Sequence, residues 1–177
     1  KDPSVIDDFE SAETGSSAGW EQEGGWQYDN AVGISVAEFQ GSKMLKADLD
    51  YTGCEGFTWS EAKIKKSFAE GLDVSAYNVL SYEMIYPEAF DGSFKAKIFA
   101  KNGADDVEII NKEAKIETSD LGDGYKKAVV TVKFSPNTAK ITDLMIGTVG
   151  VSTAFLGSVY LDNLTLSQYN AAGDYTE

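Results

Sequence analysis

The chain of 177 residues has no histidine, a single cysteine and only three prolines. Without histidine it lacks the commonest general base, the Ser-His-Asp arrangement and most zinc sites. Cys54 stands alone, so it cannot close an internal disulfide, and with no imidazole to activate it the thiol is a poor nucleophile. Long apolar runs are missing as well; none approaches the roughly 20 residues that span a bilayer as a helix. Glycine patterns of the Rossmann, P-loop and nucleophile-elbow kinds do not occur. There is no initiator methionine and no signal-like stretch, from which a piece of a longer, secreted protein is expected. Basic side chains number 15 against 29 acidic ones, a net charge of −14. Such a field repels polyanions, which argues against nucleic acid, anionic lipid and acidic polysaccharide and is compatible with neutral polymers and divalent cations.

What the chain does contain is alternation. Hydrophobic residues make up 42% and aromatics 12%, enough for one packed domain over residues 1–177, with an ordered part at roughly 4–168 and a polar tail at 169–177. Period-two patterns run through 44–50, 57–68, 78–86, 93–101, 125–134, 141–151 and 158–166. Weaker ones lie at 4–10, 31–39 and between Val107 and Glu117. Glycines mark most joints, and Pro87 and Pro136 each follow a strand. No stretch repeats apolar residues at helical spacing between caps; Ser135–Lys140 reads as a single short turn. About ten strands with frequent turns predict an all-β fold, a jelly-roll β-sandwich of two stacked antiparallel sheets.

The three tryptophans sit among polar and glycine-rich neighbours, in "SSAGWEQEGGWQYDN" and "GFTWSEAKIKK". Valine, isoleucine, leucine and phenylalanine suffice for a core, which leaves Trp20, Trp26 and Trp59 available for a surface. In the segment around Trp59, the set Thr58, Ser60, Ala62 and Ile64 packs inward, and Phe57, Trp59, Glu61, Lys63 and Lys65 share the opposite face. An indole among charges is a platform for the apolar face of a pyranose. Covering about 100 Å² at roughly 25 cal/mol/Å² is worth on the order of 2–3 kcal/mol per ring before ordering costs. Glu61 and Lys63 are placed to read hydroxyl orientation. In the competing reading Trp20 and Trp26 pin a loop against the sandwich edge.

A second constellation joins the two ends. "VIDDFES" and "YLDNLTL" each interrupt a strand pattern with carboxylates, and first and last strands of a jelly roll are commonly neighbours. Asp8, Glu10 and Asp162 are therefore candidate ligands of a structural calcium, which takes six to eight oxygens; otherwise they are solvated strand-end acids. A small glycoside hydrolase would need two acids flanking the scissile bond, about 5–9 Å apart. No compact E-x-D-x-x-E run occurs, and Glu61 has no second acid on its strand. A purely structural or adhesive sandwich, with all three tryptophans buried, is the remaining alternative.

The opening "VIDDFES…W", the tryptophan in "GFTWSEAKI" and the ending "GSVYLDNLTL" resemble the carbohydrate-binding modules attached to bacterial polysaccharide hydrolases, and most closely family 27, the mannan-binding modules of β-mannanases. The resemblance covers nearly the whole chain. It implies a non-catalytic module in which tryptophans line a cleft for β-1,4-mannan, a structural calcium, an attached catalytic domain and a secreted parent enzyme. Trp59 and Trp20, with Trp26 as a third, are the positions matched to the cleft platforms. Cellulose, xylan or glucan remain alternative ligands.

Overall fold

Side chains alternate across each strand, and that alternation sorts the chain into inward and outward sets. The computed structural model describes residues 2–23, 32–107, 112–135, 140–169 and 175–176, with 112, 113, 169, 175 and 176 placed by backbone alone. Among these residues fourteen strands run in chain order: β1 Ser4–Asp7, β2 Trp20–Glu23, β3 Gly33–Phe39, β4 Ser42–Asp50, β5 Ser60–Asp73, β6 Val79–Pro87, β7 Phe94–Asn102, β8 Asp105–Asp106, β9 Lys112–Glu113, β10 Lys115–Gly122, β11 Tyr125–Lys133, β12 Lys140–Gly150, β13 Leu156–Tyr169 and β14 Tyr175–Thr176. Among the described residues the one helical element is a 3-10 turn at Glu88–Phe90, directly after Pro87.

The strands form two antiparallel sheets. The larger has the order β10-β11-β6-β13-β4-β3, with β1 and β14 also pairing β13; the smaller has β2-β5-β12-β7-β8, with β9 pairing β7. Facing rows from both sheets make one core. Leu45, Ala47, Leu80, Tyr82, Met84, Val130, Val159 and Leu161 come from the larger sheet, and Ala62, Ile64, Ala96, Ile98, Leu144 and Ile146 from the smaller. The jelly-roll-like sandwich expected from the period-two pattern is the observed architecture.

Two local features follow from backbone chemistry. Phe39 pairs with Ser42, so β3 and β4 are joined by the two-residue turn Gln40-Gly41, with φ of 48° and 89°. Positive φ at both positions gives the turn the twist a tight hairpin needs. In β13 the pairing with β6 slips between Asp162 and Thr165, and Asn163 takes a φ of 50°. The extra residue moves the inward set from Val159 and Leu161 to Leu164 and Leu166. Both halves of the strand thereby bury their apolar side.

Several boundaries differ from the sequence expectation. The strand expected at 57–68 starts at Ser60 and continues to Asp73, leaving Phe57–Trp59 irregular and Thr58 exposed rather than inward. The polar tail is not wholly separate: β13 reaches Tyr169, and Tyr175–Thr176 pairs with Gln168–Tyr169. Of the short turn expected at 135–140, residues 136–139 lie outside the described residues.

Trp20 is the main correction. It opens β2, an edge strand that pairs with β5 opposite Lys66, and its side chain turns into the core at 2% exposure. Its Nε1–H donates to Asp7 Oδ2 at 3.1 Å, and that carboxylate also pairs with Lys66. With its polar atom satisfied by a carboxylate, the indole buries its whole ring at low cost. It offers no face to a ligand. Trp20→Ala is expected to lower unfolding free energy by about 3–5 kcal/mol, measured by denaturant titration. A loss below about 1 kcal/mol would mean that the ring is not core.

Candidate functional site

The outer face of the smaller sheet is laid out by the register of three strands. β12 lies between β5 and β7, so each of its outward residues is flanked by one from either side. Val149 has Glu61 and Lys95; Gly147 has Lys63 and Lys97; Met145 has Lys65 and Phe99; Asp143 has Ser67 and Lys101. β2 adds Glu23 opposite Lys63 and Glu21 opposite Lys65, and the backbone of β9 sets Glu113 opposite Lys97. The sequence pattern "EAKIKK" paired with "FKAKIF" thus becomes a patch of cations and aromatics around a glycine.

Trp59 stands at one corner of this patch, just before β5 and half-buried. Its Nε1–H donates to Glu61 Oε1 at 2.6 Å. Glu61 was expected on the solvated face, and it does project from that face, but it is only 5% exposed. The carboxylate is drawn back by the indole and lies against Gly147; a Cβ at that position would come within 3.4 Å of Glu61 Oε2. Oε2 has no hydrogen-bond partner among the described residues. A buried carboxylate oxygen left without a donor is costly, and a hydroxyl that reaches it recovers that cost.

The aromatic rings on this face carry ammonium groups. Lys97 Nζ lies 5.6 Å from the Trp59 ring centroid, and Lys63 Nζ lies 5.0 Å from that of Phe99. Beside Trp59 a hollow of about 220 Å³ is lined by Lys95, Ala96, Lys97, Ala114 and Ile116. Pockets that enclose a drug-sized ligand run to roughly 300–1,000 Å³, so this one suits a single ring of a longer chain. Of the sequence-expected binding residues, Trp59, Glu61 and Lys63 are brought together. Trp20 is not, and Trp26 lies outside the described residues. Lys95, Lys97, Phe99 and Gly147 were not anticipated, because only the pairing of β7 and β12 with β5 gathers them.

Of the acids near the chain ends, Asp162 lies in β13 of the larger sheet, and Asp8 and Glu10 lie in the exposed segment after β1. Asp162 is 6% exposed, with Oδ1 unpartnered among the described residues. Desolvation pushes its carboxyl up to about 6; Asn163 N–H eases this, while Glu83, Glu10 and Asp8 add repulsion. Glu83 is held by Lys127 Nζ at 3.2 Å and by the Asn163 side-chain amide. Asp8 Oδ1 accepts from Glu10 N–H at 3.1 Å, and Glu10 Oε1 from Lys43 N–H at 3.2 Å. Among the described residues, no three acidic, cysteine or histidine side chains form a ready-made metal cluster. The side chains here offer oxygen donors, the type that calcium takes.

Known proteins match this architecture. The profile of carbohydrate binding module 27 matches residues 3–169. Among solved structures, TmCBM27, described for specific mannan recognition, is 21% identical with a TM-score of 0.68, covering 94% of this chain and 98% of its own. The first such module of Caldicellulosiruptor saccharolyticus, solved with mannohexaose, is 19% identical with a TM-score of 0.60, covering 94% and 97%. A family 28 module specific for non-crystalline cellulose is 15% identical with a TM-score of 0.63, covering 89% and 91%. No curated protein sequence matches the chain.

The Asp162 environment has a pH signature. Its folded value of about 6 lies above the ordinary 3.8, so its protonated form favours the native state. That contribution is complete below 3.8 and is lost as pH rises through about 6. In chelator, the stability of the unmodified chain minus that of Asp162→Asn should fall between about pH 4 and pH 7. Urea midpoints measure this, and a flat or rising difference would contradict it.

Proposed function

We propose that this chain, which belongs to carbohydrate-binding module family 27 and as such is a non-catalytic carbohydrate-binding module, holds β-1,4-mannan against Trp59 on the outer face of its smaller sheet. The observation that carries the site is Trp59 beside a ring-sized hollow, with the buried, unpartnered oxygen of Glu61 next to its indole. Mannan comes into the reading from the family and from the two family members described with mannan or mannohexaose.

In this reading the Trp59 ring removes the apolar face of one sugar from water, worth on the order of 2–3 kcal/mol before ordering costs. Glu61 Oε2 accepts a hydroxyl proton, and Lys63 donates from the adjoining row. Lys97 rests over the indole, an attraction of about 0.5–1 kcal/mol at an exposed site, and yields to a sugar that offers more contact. Trp26 joins as a further platform on the strength of its sequence setting. With no histidine in the chain and Glu61 bonded to an indole, the arrangement grips and orients a glycan. The attached catalytic domain, delivery of that domain to its polysaccharide and an extracellular location complete the proposal.

A structural calcium belongs to the same reading. Asp162 with Asp8 and Glu10 would hold it, joined by backbone oxygens, and its charge would relieve the mutual repulsion of these carboxylates. The unpartnered Asp162 Oδ1 is the support for this assignment. The ion would tie the segment after β1 to β13 and act on stability alone.

Titrating manno-oligosaccharides against intrinsic tryptophan fluorescence tests the site. Trp59→Ala should weaken binding at least tenfold, about 1.4 kcal/mol, with little change in Tm. An unaltered affinity, or a matching collapse of Tm, would reject Trp59 as a platform. Chelation should lower Tm and added calcium restore it; melting indifferent to both would remove the metal.

A further inference from the structure

All 15 basic residues of the chain are lysines, against 29 acids. Five of them, Lys63, Lys65, Lys95, Lys97 and Lys101, project from the one face that carries Trp59. Two are occupied: Lys65 pairs with Glu21 and Glu23 at 3.3 and 2.9 Å, and Lys101 with Asp106 at 3.0 Å. Lys63, Lys95 and Lys97 have no carboxylate at ion-pair distance among the described residues. Two of these three rest their ammonium groups over aromatic rings instead. In a chain where acids outnumber bases nearly two to one, three lysines on one face without an ion-pair partner among the described residues, two of them lining the hollow, are a local departure.

The rows make the spacing definite. Lys95 and Lys97 are two residues apart on β7, so their side chains leave the same face about 7 Å apart. Lys63 stands across Gly147 from Lys97, two strand spacings or about 9–10 Å away. Lys95 and Lys97 both line the hollow beside Trp59. The acids on this face are Glu61, already engaged by the indole N–H, Glu23 opposite Lys63 and, by backbone register, Glu113 opposite Lys97. The net charge of −14 does not cancel this patch. Charges beyond a Debye length, about 8–10 Å at ordinary salt, are largely screened, so a ligand in the hollow feels the ammonium groups within a few ångströms.

We propose that this face recognises a β-1,4-linked manno-glycan bearing carboxylates, with Lys95 and Lys97, assisted by Lys63, pairing with the uronate groups while Trp59 stacks on the ring. The proposal rests on the assignment of this face as the glycan site. It reverses, for this face, the exclusion of acidic polysaccharides that net charge alone suggests. An ammonium group taken from a ring face to a carboxylate gains more than one moved to a neutral hydroxyl, because hydrogen bonds between ions are stronger.

The probes are a β-1,4-mannuronate oligomer and the neutral manno-oligosaccharide of equal length, titrated calorimetrically in about 20 mM and about 500 mM sodium chloride. On the unmodified protein the mannuronate oligomer is expected to bind, with affinity falling about tenfold at the higher salt, while neutral-sugar affinity changes less than twofold. Lys95→Met and Lys97→Met should each lower the ratio of uronate to neutral affinity about threefold, and Lys97→Arg should preserve it. The salt arm needs no variant, so a misfolded substitution leaves the test intact. Binding of the neutral oligomer without the uronate, or uronate binding indifferent to salt, overturns this proposal and leaves the lysines as hydroxyl donors. Failure of both oligomers overturns the glycan assignment of the face along with it.

Discussion

The pairing of β12 with β5 on one side and β7 on the other is the constraint on which the site and the core both depend. β12 is buried along most of its length, with Leu144 and Ile146 inward and Met145, Gly147 and Val149 beneath the outer patch. A one-residue slip of β5 or β7 against β12 would turn its lysine row into the sandwich. Burial of the apolar row therefore sets which charged side chains stand together. Gly147 matters for the same reason: its missing side chain is the space that the Glu61 carboxylate, Lys63 and the Phe99 ring lean into, each within 3.4–3.6 Å of where a Cβ would sit.

Two tryptophans with similar sequence surroundings end in opposite environments because their polar atoms meet different partners. The Trp20 indole N–H faces Asp7, which also holds Lys66, and the ring sinks into the core. The Trp59 N–H faces Glu61 on its own face of the sheet, and the ring stays half-exposed. Glycines, serines and acids lie close to both in sequence, so local composition does not separate them. The discriminating information is which strand lies opposite, since Trp20 pairs at Lys66 on an edge where the core is still open to it.

Charge is organised at two scales. Acids outnumber bases over the chain, and at Asp162 burial first, then Glu83, Glu10 and Asp8, raises the carboxyl's proton affinity. On the Trp59 face lysines and acids stand in neighbouring rows, and two ammonium groups rest on aromatic rings. The two regions lie on different sheets. A net charge describes neither.

Alternation along single strands was enough to specify the sandwich, because a strand with one apolar row must bury it whatever its partner. Seven of the strand segments, the residues of the core rows and the outward placement of Trp59, Glu61 and Lys63 were legible for that reason. The edge strand β2, the start of β5 at Ser60 and the bulge at Asn163 were not, since each depends on a neighbour distant in sequence. Depth was illegible too: Glu61 and Trp20 are both polar-flanked, yet both are covered by groups tens of residues away or by a ring folding back. Period and composition are local quantities, readable residue by residue. Register, burial and the company each charge keeps are properties of pairs of strands, and only the assembled sheets decide them.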